Sequence, residues 1–202
     1  MGSSSAMAVS ATLHCLTGCA IGEILGLMIG TAMGLGTVAT IALAVALAFL
    51  FGYALSTLPL LRAGLGVGAA LSVVLAADTL SIATMELVDN LVMASIPGAM
   101  EAGLVNPVFW LSMMLALTVA FFAAWPVNRY LLARGKGHAL THEYQGATPT
   151  GARRFIPALA TSTLVAAITA FMLGGLVVSV ADELDSPATE TTGHALGSHG
   201  SP

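Results

Sequence analysis

The sequence predicts an all-α protein, a polytopic bundle of about five transmembrane helices, and three observations predict it. The first is composition. Of 202 residues 57% are hydrophobic and 8% charged, and mean hydropathy is +0.93. A soluble domain carries roughly a quarter Asp, Glu, Lys and Arg; six basic and ten acidic residues are too few to cover a water-facing surface. A cytosolic enzyme, a nucleic-acid binder and a disordered chain are thereby excluded. The second is run length. A bilayer core about 30 Å thick needs about 20 apolar residues of helix, and residues 12–34, 38–60, 67–95, 108–131 and 157–180 each supply them. The runs are too long and too continuous for the alternating strands of a barrel. The third is charge placement. Arg62 lies between spans two and three, and Arg129, Arg134, Lys136, Arg153 and Arg154 lie between spans four and five.

Two loops on one side of a five-span chain hold every Lys and Arg. The positive-inside rule makes that side cytoplasmic, so the N-terminus is expected inside, the C-terminus outside, and the chain in the cell's inner (plasma) membrane. Leu35-Gly36, Pro59 with Gly64 and Gly66, Pro97-Gly98 and Asn106-Pro107 read as the breaks between spans, and Pro126 as a weak point in the fourth. Residues 1–11 read as a short tail lacking the basic start of a secretory signal. Residues 181–202, acidic and rich in Ser, Thr and Gly, read as a disordered tail carrying His194 and His199. Trp110, Trp125 and Tyr130 read as interfacial anchors of span four.

Span one carries two rows. Gly18, Gly22, Gly26, Gly30 and Gly34 recur every fourth residue, giving a groove for close helix approach. Packing explains the row; an exposed zipper of this kind is also expected to support a homo-oligomer. Beside it stand Cys15, Cys19 and Glu23, again four apart, with His14 preceding. Thiolate and imidazole form a soft ligand set suited to Cu(I) or Zn(II), although buried cysteine often serves as a small hydrophobe. Two cysteines so close are no disulfide framework.

Span three places Asp78, Glu86 and Asp89 where an ionised carboxylate costs on the order of 2.5–3.5 kcal/mol. At 100° per residue from Asp78, Met85 falls at about −20°, Asp89 at about 20°, Met93 at about 60° and Glu86 at about 80°. This stripe must face the bundle interior or a wet cavity. No Lys or Arg lies in a span core to neutralise it. Either some of the acids hold protons or a cation balances them. Glu23 and Asp78 are expected at similar depth. Met85 and Met93, with Met100, Met113 and Met114, would suit a soft ion, although methionines at helical spacing are more often packing.

After span four, His138 and His142 share a helical spacing with Glu143 adjacent. The pair lacks the internal Glu of a zincin signature. With His14, Cys15 and Cys19 it is expected to form a metal site at the cytoplasmic mouth, from which Glu23, Asp78, Met85, Glu86, Asp89 and Met93 line an ion pathway.

The strings HCLTGCAIGE, DTLSIATMELVDN, IPGAMEAGL and PVNRYLLARGKGHALTH resemble an uncharacterised bacterial integral-membrane family, a domain of unknown function, over most of residues 12–145. Members joined to or standing beside multicopper-oxidase-type proteins make the resemblance imply copper handling, with a metal-handling partner; it implies no catalytic residues. Three functions remain open: a carrier for a soft transition-metal ion, copper ahead of zinc; a proton or cation channel using the acids alone; and a non-transporting scaffold subunit docked through the zipper. No nucleophile–base pair indicates an enzyme, and no phosphate loop indicates a nucleotide-driven pump.

Overall fold

The computed structural model describes residues 2–134, 151–156 and 160–185, with side chains from residue 5. Among the described residues five long helices follow in chain order: α1 (Gly2–Ala32), α2 (Thr37–Ala63), α3 (Val67–Ser95), α4 (Pro107–Ala133) and α5 (Thr161–Asp185), with a short 3₁₀ turn at Gly151–Phe155 before the last. All five are long and apolar enough to cross a membrane.

Boundaries differ from the sequence expectation in ways that matter. α1 begins at Gly2, not residue 12, so most of the expected tail is helix. α5 continues to Asp185, five residues beyond the expected end. Neither Pro59 nor Pro126 interrupts its helix; membrane helices tolerate proline because neighbouring helices, hydroxyl side chains and local adjustment re-satisfy the freed backbone groups. The remaining breaks fall where expected. Gly64 ends α2 in the left-handed region (φ 113°), and its N–H reaches the carbonyls of Leu60 and Leu61. Asn106 caps α4 by accepting from Val108 N–H at 2.9 Å, with Pro107 in the first turn.

α1 is the central helix, contacting all four others. Its glycines explain the closest of these contacts. Gly18, Gly22, Gly26 and Gly30 lie against Gly52, Ala48, Ala44 and Thr40 of α2, and a Cβ on any of the four would overlap its partner. Small residues four apart on α2 thus answer the glycines on α1. Two expectations are corrected here. The zipper is filled by the chain's own α2 and is not an exposed surface for a second copy. Gly34 is not part of it: it lies in the α1–α2 turn at φ 65°, with open space around it.

Trp110 is likewise no lipid-facing anchor. It is buried, donates Nε1–H to the Leu104 carbonyl at 2.8 Å, and meets Phe171 of α5 edge-on at 5.9 Å, with Gly175 against its ring. A segment folded back between α3 and α4, with Ala99 and Ala102 buried, leaves a backbone carbonyl that the indole satisfies. Tyr130 is exposed beneath the Arg134 guanidinium, 4.5 Å from its ring centre.

At one end of the bundle, Arg62 donates to the Ile156 carbonyl at 3.0 Å, tying the α2–α3 turn to the α4–α5 connection. Arg62, Arg129, Arg134, Arg153 and Arg154 therefore gather at the end where α1 starts. Glu101, Asp182, Glu183 and Asp185 lie at the other. Gly22→Leu is expected to force α1 off α2 and cost about 1–3 kcal/mol as overpacking does; a thermal midpoint in detergent equal to wild type would show that the contact is not close.

Candidate functional site

With α1 clamped on α2 by its glycines, the neighbouring row of Cys15, Cys19 and Glu23 turns toward α3. All three are buried, at 0%, 1% and 7% exposure. On α3 the predicted stripe is also buried: Asp78, Met85, Glu86, Asp89 and Met93, while Leu80, Leu87 and Leu91 face outward. The helices run parallel and pair by level. Cys15 lies beside Asp78 and Ser81. The Cys19 thiol faces Glu86. Glu23 confronts Asp89, with Glu86 nearby. Glu23 is thus level with Asp89 rather than with Asp78, as the sequence reading had it, because the rise to Asp89 from Asp78 is roughly 16 Å. Below this column Asn128 Nδ2 donates to Thr12 Oγ1 at 2.9 Å, and Thr12 donates to Ala8 O at 2.7 Å. Polar side chains therefore line the interior for most of its depth.

The column ends in a cavity of about 310 Å³ at the end opposite the basic loops. Glu23 and Asp89 stand inside it, together with Asn90, Thr31, Thr37, Thr40, Glu101 and the methionines Met93, Met100 and Met113. Among the described residues no Lys, Arg or His lines it. Glu86 is met by the Cys19 thiol and Glu23 by the Asp89 carboxyl, and no other donor reaches Glu23, Glu86 or Asp89 Oδ1 among the described residues. Two buried carboxyls facing each other cannot both be charged without a balancing charge; a proton or a cation between them resolves the repulsion.

The expected metal mouth takes a different form. Because α1 starts at Gly2, Cys15 and Cys19 stand near mid-bundle rather than at an entrance, and both thiols are free and sealed from solvent. His14 is buried one residue away. Among the described residues no three of His, Cys, Asp and Glu converge to hold a metal ion. His138 and His142 lie outside the described residues, so their approach to the cysteines is not part of this geometry. Four polar contributors escaped the sequence reading. Ser81 sits on the acid stripe at about −60° from Asp78 and was detectable by the same projection. Thr12, Asn128 and Glu101 required knowledge of which helices meet.

A multi-pass helical membrane protein, with an acid-lined interior between its first and third helices, is the class these features define. The model of one protein family, a domain of unknown function (DUF4396), matches residues 4–137, and the chain belongs to that family. The match covers α1 to α4, including the whole column, and leaves out α5. Neither the curated proteins nor the solved structures contain a match.

Burial predicts thiol behaviour directly. A membrane-impermeant maleimide is expected to leave Cys15 and Cys19 unmodified in the folded protein and to add twice after denaturation. Mass spectrometry showing rapid double addition to the native protein would contradict the packing of α1 on α3.

Proposed function

We propose that this protein conducts or carries a small cation through the α1–α3 column, with Glu23 and Asp89 as the central exchange point and Glu86 the next acid inward. The observation that carries this reading is the confrontation of the buried Glu23 and Asp89 carboxyls at the inner end of an open acidic cavity. Intramembrane acids facing a bundle interior are the usual hardware of proton relays and cation paths. Thr12, Asn128, Cys15 and Ser81 continue the polar route toward the basic end. By the positive-inside rule that end is cytoplasmic and the cavity faces outward, with the inner membrane as the natural location. Cysteines introduced at Arg154 and Glu101 in a Cys15→Ser, Cys19→Ser background test the orientation: maleimide applied outside intact cells labels position 101 and not position 154 if it is right.

Cation flux tests the reading itself. In liposomes, Asp89→Asn and Glu23→Gln are each expected to lower proton or monovalent-cation flux at least about tenfold, the effect of losing one charge-assisted contact. Flux equal to wild type in both variants would refute it.

One observation favours a soft transition-metal ion as the cargo, Cu(I) ahead of Zn(II): Cys15, Cys19 and Met85 share one buried cluster beside Glu86. Thiol and thioether select such ions. Under this second reading, elemental analysis of the purified protein finds copper or zinc that falls in the Cys15→Ser, Cys19→Ser double variant; equal metal in both rejects it. The scaffold alternative loses its docking surface, because α2 already fills the glycine face.

A further inference from the structure

The cavity holds more chemistry than transfer of a bare ion uses. Its floor is lined by the facing carboxyls of Glu23 and Asp89, on side chains at 7% and 4% exposure. Its walls are apolar, with Leu27, Met93, Phe109 and Met113. Glu101 stands exposed at the rim. A dehydrated metal ion needs several ligands drawn in to about 2.0–2.6 Å, and the described residues offer no such cage. The volume of about 310 Å³ instead falls at the lower bound for organic-ligand sites, roughly 300 Å³.

An ammonium group brings a positive charge and three N–H donors, which suit a pair of facing carboxyls that cannot both stay charged alone. A hydrocarbon chain suits the walls, and a second cationic nitrogen suits the rim. From Asp89 to the end of α3 at Ser95 is about 9 Å of helix rise, room for several methylenes between the two acidic poles. We propose that the cavity binds an aliphatic polyamine, one protonated nitrogen held by Glu23 and Asp89 and another at Glu101. The proposal rests on the cation reading of the same site and names the class of cation.

Radiolabelled spermidine binding to the full chain in phosphatidylcholine nanodiscs, with empty nanodiscs subtracted, provides the test. Saturable binding is expected, weakened about tenfold by Asp89→Asn and about threefold by Glu101→Gln, whose site is exposed and more screened. Absence of saturable binding to wild type overturns the proposal, as does affinity unchanged in both variants. Should Asp89→Asn fail to fold, Glu101→Gln alone decides. The two readings separate cleanly. Asp89-dependent flux of protons or sodium without spermidine binding rejects the polyamine and keeps the pathway. Asp89-dependent spermidine binding without any Asp89-dependent flux keeps the ligand site and rejects the pathway.

Discussion

The contact of α1 with α2 decides the rest of the structure. Four glycines on one helix and Gly52, Ala48, Ala44 and Thr40 on the other bring two backbones together without intervening side chains. In lipid there is little hydrophobic force between helices, so such association depends on close packing. Once α1 is locked in rotation, the row about 60–100° round from the glycines can face only inward. That row is Cys15, Cys19 and Glu23. The acids of α3 then meet it, and the bundle acquires an interior unlike its surface. Every large outward side chain on α3 is apolar, and every carboxyl on it is inside.

Holding those acids is costly, and among the described residues no Lys or Arg stands beside them. The described arginines all stand at one end, where Arg62 and the α4–α5 connection are joined, and the cavity opens at the other. Charge is thereby separated along the bundle: cations at one surface, carboxyls at mid-depth and at the opposite mouth. A negative, low-dielectric cleft concentrates cations. The same placement keeps the interior acids apart from the described arginines.

Much of this was legible in the sequence. Five spans, the acid stripe on α3 and the thiol–carboxylate row on α1 all follow from periodicity, because helical geometry fixes which residues of one helix share a face. What one helix alone cannot reveal is its neighbour. Level pairing of Glu23 with Asp89 depends on how far α1 extends before Cys15, and a polar start of Ser3, Ser4 and Ser5 hid ten residues of helix. The zipper looked available for a partner because the small residues on α2 lie scattered among Leu, Phe and Val. Trp110 resembled a belt residue because its distance from the helix start says nothing about the Leu104 carbonyl it satisfies. The Thr12–Asn128 pair at the foot of the column joins residues 116 apart in the chain, beyond the reach of any local pattern.

The central claim is that Glu23 and Asp89 share one exchangeable positive charge inside the bundle. Infrared difference spectroscopy of the protein in bilayers reads this directly, since only a protonated carboxyl gives the high-frequency C=O stretch. Addition of a cation the cavity accepts, at fixed pH, should remove a protonated-carboxyl band in wild type, and the band should be absent in Asp89→Asn and Glu23→Gln. A cation-responsive band of full intensity in both variants would contradict the claim, as would a wild-type spectrum that no cation changes.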